Sequence, residues 1–564
     1  MKDLLHLPRG TCAIGALAVA TLLMAVSARA NVYATDIKLN GSNQQTTTSA
    51  GNPVPISYIL SDTATLGVVI NVYSNGVPIR SFSVPTNALA TNGAGLSLGT
   101  NTIFWDGNDS TSNSVGVGAI TVSVTASSAG YPGWTLLTTN NINTGISSGG
   151  YYTWAPRGLA VDTVTNSPAY GRVFVANSQT GPNAGSVAGD HDAILMFNAD
   201  GSASDAGAFG NGGYPIHDAN FTLPQKLRLG DDDRLYMNDA DAEQIVAFDP
   251  GLQTNKVVLN GNNYFANPFV FELENEVGWF SLDITAANTT NGLIWLGEYD
   301  APGAGVWFWR LVNGVADPTD PSGTNSVVAG PGSSLNLDAS GGLMADLNSD
   351  VFVSQYVDAP GDATNGRCMM FGNANGFIPA TNAQWDVGAG DDSFRDINDT
   401  TIDSRKQPNY VACAMVGPNV EGLRILNATN GSTAVANLDP ANTYFATAWD
   451  SVGNLYGASD SRHAWRVWSP PGSGNTATTF GIVSLKTVDA LTILAITNSD
   501  GVVSLSFTAS STNALSNFTL LSSSNVAGNY APAAGYVISH GERAGLFTAT
   551  VPTNGALQFY IIKR

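Results

Sequence analysis

An all-β chain is predicted by three features of the 564-residue sequence. Short runs of Val, Ile, Tyr, Phe and Trp alternate with clusters of Asn, Ser, Thr and Asp and with 61 glycines. Gly and Asn tolerate the positive φ of tight turns, whereas β-branched and aromatic residues suit a pleated surface. No segment after the first thirty residues carries a helical apolar period over more than two turns. From Tyr131 to Leu485 one strand-turn-strand unit recurs loosely, the mark of a repeat fold whose units cover one another. The expected order is a leader (1–30), a β-sandwich (31–128), a β-propeller (131–485; six blades, with seven as the alternative count) and a small C-terminal β-sandwich (487–564).

The leader has a basic start at Lys2 and Arg9, an apolar run from Cys12 to Val26 and a small-x-small site at Ala28-Arg29-Ala30. Cleavage there would make Asn31 the first mature residue. An uncleaved anchor is the other reading, but about 15 apolar residues are short against the roughly 20 that span a bilayer. No small-residue lipobox precedes Cys12, and no later segment is long and apolar enough to form a transmembrane helix. Export is therefore expected, ending in the periplasm, on the cell surface or in the medium.

The formal net charge is −21. Such a surface repels phosphate backbones, which makes nucleic acid a poor partner and basic ligands or divalent cations electrostatically easier ones. It also serves simply to keep an exported protein soluble. Beyond the leader only Cys368 and Cys413 remain, so stability must come from buried cores and not from a disulfide framework. Both lie in strand-like runs, where one disulfide and two buried free thiols are equally open readings.

In the first module the strands are Ile56 to Leu60, Gly67 to Tyr73, Thr102 to Trp105 and Ala119 to Ala126. Alternation in the last puts Ile120, Val122 and Val124 on one face, as a sandwich with one buried side requires. Trp105 should fill the core while Asp106-Gly107 turns the chain outward. Four pieces in order, Ser57-Tyr-Ile-Leu-Ser61, Ile70-Asn-Val-Tyr-Ser-Asn-Gly-Val-Pro-Ile79, Asn101-Thr-Ile-Phe-Trp-Asp-Gly-Asn-Asp109 and Val115-Gly-Val-Gly-Ala-Ile-Thr-Val122, resemble the FlgD Ig-like family. Ala119-Ile120 departs from it, since a tyrosine commonly follows the glycine there. The resemblance implies an immunoglobulin-like sandwich that packs or spaces, with no catalytic residue.

The repeat is clearest in Pro156-Arg-Gly-Leu-Ala-Val-Asp162, Gly171-Arg-Val-Phe-Val-Ala-Asn177 and Ala193-Ile-Leu-Met-Phe197. Further copies start at Leu227, Phe280, Gly342 and Ala446, and a fainter fifth is built on Tyr410 to Val416 and Gly422 to Leu426. Copies one and six resemble NHL-type six-bladed propellers, in which an apolar strand ending in Asp is followed by a turn and a Val-Tyr-Val-like strand. The spacing exceeds that of compact blades, so inserted loops near Ser178 to Asp190, Asp317 to Ser326 and Asp358 to Gly366 are expected to decorate the rim. Trp134 to Thr138 should close the ring by pairing in the last blade near Phe480 to Leu485. The final region alternates at Val502 to Phe507, Phe518 to Leu521, Leu546 to Val551 and Gln558 to Ile562, and is similar to small C-terminal β modules of secreted bacterial proteins, some of them attachment tags.

Candidate chemistry is sparse. Asp346-Leu-Asn-Ser-Asp350 opens like a calcium loop, so Asp346, Asn348 and Asp350 are the candidate metal ligands, yet Val351 stands where such a loop needs glycine. The plain alternative is an inter-strand turn, and Asp231-Asp-Asp233 occupies the equivalent place in the second copy. Asn177, Asn238, Glu298 and Asp346 sit at or near strand ends that could converge on a central channel. His191, flanked by Asp190 and Asp192, and His463 complete the candidate channel or ligand-binding set. Trp295, Trp307, Trp309, Trp449, Trp465 and Trp468 would stack sugars if outward-facing, although most should be core. With no G-x-S-x-G elbow, H-E-x-x-H helix or phosphate-cradling loop, no catalytic residue is assigned. The expected function is an exported binding or scaffold protein whose propeller recognises a protein or glycan. A calcium-dependent propeller hydrolase or lyase and a structural cell-surface component are the alternatives.

Overall fold

The computed structural model describes residues 32–563, apart from 49–52, 87–94, 140–152, 180–191, 206–212, 217–222, 261–280, 299–304, 317–339, 356–366, 389–393, 417–420, 488–491, 510–513, 542–545 and 554–557 and scattered single or paired positions. The leader, the loop containing His191 and two of the three expected rim insertions lie outside the described residues, as does most of the third. Every regular element among the described residues is a β-strand except one 3₁₀ turn, Leu515–Asn517.

Two sheets form the first sandwich. One contains Ala34–Leu39, Val54–Leu60 and Gly99–Trp105; the other orders Gln45–Thr48, Asn475–Thr487, Gly118–Ser128, Gly67–Ser74 and Val77–Val84. Ile120, Val122 and Val124 point into the shared core with Trp105, all fully buried as alternation predicts. The Trp105 indole N–H donates to the Asn108 carbonyl at 2.8 Å, tying the core to the Asp106-Gly107 turn.

The strand Asn475–Thr487 corrects one expectation. Its Phe480 to Leu485 portion does not pair in the last blade but runs antiparallel to Gly118–Ser128, from Asn475 opposite Ser128 to Leu485 opposite Gly118. Its alternation matches a one-sided core: Val483 is fully buried in the sandwich while Phe480 faces outward. The first sandwich is thus completed by residues on both sides of the propeller in sequence. Where the two strands meet the propeller, Gly130 and Gly474 cross so closely that a Cβ on either would run into the other's backbone, and both have positive φ.

Six four-stranded antiparallel sheets follow. Their inner strands are Pro156–Val161, Pro224–Leu229, Ser281–Asn288, Ser340–Ala345, Ile397–Ile402 and Tyr444–Trp449. Each touches the next and the sixth touches the first, so the ring is closed with six blades. The fourth strand of blade 6 is Thr135–Thr139, which pairs with Ala464–Ser469. The ring is therefore sealed by the segment expected to do so, with a different partner strand. Apolar cores lie between blades 6 and 1, 1 and 2, 3 and 4, 4 and 5, and 5 and 6. Each blade, apolar on both faces, is covered by its neighbours.

The C-terminal module is a second small sandwich. Thr492–Ser499, Val502–Thr508, Leu546–Pro552 and Val537–His540 form one sheet, and Ala531–Pro532, Thr519–Ser523 and Phe559–Lys563 the other. Phe507, Phe518 and Phe547 cluster between them, with Phe507 and Phe547 stacked at 5.6 Å.

The shared sandwich makes a direct prediction. Val483→Asp places an unpaired charge in the first core, so it should speed amide exchange in Val54–Leu60 and Gly118–Ser128 while the propeller's inner strands stay protected.

Candidate functional site

The inner strands line a channel along the propeller axis, and the channel is plugged. Blades 2 and 5 face each other across a six-bladed ring, and their inner strands carry Lys226 and Arg228 on one side and Asn398 and Asp399 on the other. The Arg228 guanidinium reaches across to Asp399, with Nη2 donating to Oδ1 at 2.5 Å and Nη1 to Oδ2 at 3.4 Å. The Thr400 and Thr447 amides also donate to Asp399, at 3.0 and 2.8 Å. Lys226 Nζ donates to the carbonyls of Asn398 at 2.5 Å and Phe445 at 3.0 Å. The Arg157 guanidinium lies 3.6 Å from the centre of the Phe445 ring.

These charges are almost wholly out of water: Arg228 is 3 %, Lys226 1 % and Asp399 0 % exposed. Burial pushes the Asp399 carboxyl up, but Arg228 and Lys226 outweigh it and leave the group below the usual carboxylate range. Burial likewise brings the Lys226 ammonium down to about 8, against the pull of Asp399.

Above the plug, on the face where the inner strands end, opens a cavity of about 350 Å³. Its floor includes Arg228, its walls include Leu229, Met344, Ile402 and Trp449, and Asp231, Asp403 and Asp450 add three carboxylates. The hairpin turns that follow the inner strands frame this mouth. In those of blades 1, 4 and 6, an Asp side chain accepts from amides further along: Asp162 from Val164 at 2.9 Å, Asp346 from Asn348 and Asp350 at 2.8 and 2.9 Å, and Asp450 from Val452 and Asn454 at 3.0 and 2.8 Å. The Asp that ends the repeated apolar strand in these three blades is thus a turn former, because its short acceptor satisfies amides the ladder leaves unpaired.

The residues singled out from sequence do not come together. Asn177 closes blade 1 at its opposite face, its side-chain oxygen accepting from the Ala155 amide at 2.8 Å. Asn238 is the last residue but one of the second strand of blade 2, Leu235–Asp239, buried at 2 % exposure. Glu298 ends the second strand of blade 3, and its side chain, like His191, is outside the described residues. His463 stacks on Trp154 at 4.3 Å and contacts the Trp154 carbonyl through Nδ1 at 2.5 Å, pinning the start of blade 1 to blade 6. Asp346, Asn348 and Asp350 share one hairpin turn on the cup side, where Asp350 accepts from the Asn373 amide at 2.7 Å. No group of three or more His, Cys, Asp or Glu side chains suited to a metal occurs among the described residues.

Lys226, Arg228 and Asp399 were missed. The available signal was Lys226-Leu-Arg-Leu229, where charges alternate with leucines on an inner strand and must face the axis.

The first sandwich docks beside the cup. Arg172 of blade 1 pairs with Asp36 at 3.0 Å and with Asp205 at 3.1 Å, while Lys38 bridges the same two carboxylates at 2.7 and 2.6 Å. Tyr33 packs edge-on against Tyr170 and shares a 3.3 Å hydrogen bond with Tyr456, whose hydroxyl in turn donates to Asp450 at 3.3 Å. A hydrogen-bonded chain therefore runs from the cup wall into the sandwich. Burial, opposed by its hydrogen bonds, pushes Asp450 up to about 6. Asp162 is pushed to about 7 by burial and by its neighbour Asp233.

The sequence matches no protein-family model and no curated protein. Among solved structures it is similar to the WD40 β-propeller domain of Doa1, at 10 % identity and a TM-score of 0.35 over 60 % of this chain and 97 % of that one. It is also similar to the PQQ-bound aldose sugar dehydrogenase of Streptomyces coelicolor, at 12 % identity and a TM-score of 0.34 over 63 % and 100 %. A streptogramin B lyase aligns at 8 % identity and a TM-score of 0.31 over 61 % and 100 %. No helix among the described residues is long and apolar enough to cross a membrane.

Two outcomes follow from the buried charges. Arg228→Met strands the Asp399 carboxylate and should cost about 3–5 kcal/mol in denaturant melts, much of it recovered by adding Asp399→Asn. Asp162 has a folded pKa above its unfolded one, so its stabilisation is complete below about pH 4 and is lost as pH rises through about 7. Asp162→Asn should therefore match the parent melting temperature near pH 4 and gain on it steadily towards pH 8.

Proposed function

We propose that this chain is an exported binding protein whose propeller cup receives a cationic side chain of a protein partner, with the two sandwiches acting as spacer and attachment. The observation that carries this reading is the cup itself. Asp231, Asp403 and Asp450 line it, over a floor whose guanidinium is paired with Asp399. A lysine or arginine tip entering it would meet acidic residues, which suits cations. The chain's net charge of −21 would steer such a partner from a distance. Export is supported by the apolar run and small-residue cleavage site of the first thirty residues. The spacer role is supported by the FlgD-like pieces of the first sandwich.

Titration calorimetry with arginine- and lysine-rich peptides tests the reading. Binding should weaken with added salt, and Asp231→Asn and Asp403→Asn should each cost about two- to fivefold in affinity, or about 0.5–1 kcal/mol. Affinity should also fall as pH drops through about 6, where Asp450 takes up a proton. Equal affinity for acidic peptides, or unchanged binding in both variants, would refute it.

A further inference from the structure

Cys368 and Cys413 are brought together by the ring. Cys368 starts the third strand of blade 4, Cys368–Phe371, and Cys413 lies in the second strand of blade 5, Tyr410–Met415. Both are fully buried free thiols in the core between those blades, beside Phe352, Met370 and Trp385, and Cys413 is close enough to perturb the Cys368 thiol. The only other cysteine of the chain is Cys12. We propose that Cys368 and Cys413 are joined by a disulfide that staples blade 4 to blade 5 when the chain folds in an oxidising compartment.

The location gives the bond a purpose. Strands within a blade are held by backbone ladders, whereas the seam between blades 4 and 5 is held mainly by side-chain packing, with the Trp385 indole N–H donating to the Ala428 carbonyl at 2.8 Å. A covalent tie at that seam would also close a loop of about 45 residues and restrict the unfolded chain. The chemistry balances as an exchange. One thiolate attacks the disulfide of an acceptor, either a thiol–disulfide oxidoreductase or glutathione disulfide, and expels one thiol. The second cysteine then attacks the mixed disulfide, releasing the other thiol, so two electrons and two protons pass to the acceptor.

Timing follows from burial. The neighbouring Cys413 and burial hold the Cys368 thiol well above its ordinary range, which leaves little thiolate in the folded core. Exchange therefore belongs to the stage before blades 4 and 5 close, and the same packing afterwards shields the bond from reductant. The Thr400 hydroxyl, which donates to Cys413 Sγ at 3.8 Å, remains to orient that sulfur.

The test is to unfold the full chain under reducing conditions, refold it in a glutathione redox buffer, block free thiols in denaturant and map peptides without reduction. The expected result is one cross-linked pair containing Cys368 and Cys413, lighter by two hydrogens, and a urea midpoint that drops on reduction. Cys413→Ala should show no such dependence on reductant. Native protein in which both cysteines are alkylated, or carry separate glutathione adducts, would overturn the proposal. Should refolding be poor, protein exported from its producing cells and blocked at harvest gives the same two readings.

Discussion

Every blade of this propeller presents two apolar faces, and only neighbouring blades can cover them. That constraint forces the ring to close, since an open array would leave two such faces in water. Closure is achieved by the pairing of Thr135–Thr139 with Ala464–Ser469, which brings the chain's entry into and exit from the propeller to the same place. The remaining architecture follows from that meeting point. The outgoing and returning strands lie side by side, cross at Gly130 and Gly474, and continue as neighbours in the first sandwich.

Closing six blades also creates an axis that must be filled or wetted. Here blades 2 and 5 fill it with a guanidinium, an ammonium and a carboxylate, all deeply buried. Such groups are costly unless paired, and Asp399 accepts from two amides as well as from Arg228, although the Arg228 Nε is left without a partner among the described residues. The plug divides the axis. On one side it leaves a shallow acidic cup, and beside that cup the sandwich is held by the Arg172, Asp36, Lys38 and Asp205 cluster.

How much of this was legible in the sequence depended on distance along the chain. Blade strands such as Val173–Asn177 and Leu455–Ser459 were readable because their apolar runs and turn residues are local. The inner strand of blade 5, Ile397–Ile402, was not, because Asn398, Asp399, Thr400 and Thr401 resemble a loop until Lys226, Arg228 and Thr447 are seen opposite them. The same holds for Asn475–Thr487, whose alternation fits any half-buried sheet and whose actual neighbour lies far back in the chain. Of the candidate residues, the aspartates were legible as turn formers, while the stacking of His463 on Trp154 links positions that no local pattern connects.

The order in which the chain is made gives the shared sandwich a further meaning. Gly118–Ser128 is synthesised early, but its partner Asn475–Thr487 arrives roughly 350 residues later, so one long ladder must wait for the whole propeller. Throughout that interval an unpaired, partly apolar edge is open to mispairing with other nascent chains. The native sandwich thus doubles as a proofreading seal: its last strand can be seated only once the ring has delivered both of its ends to one spot.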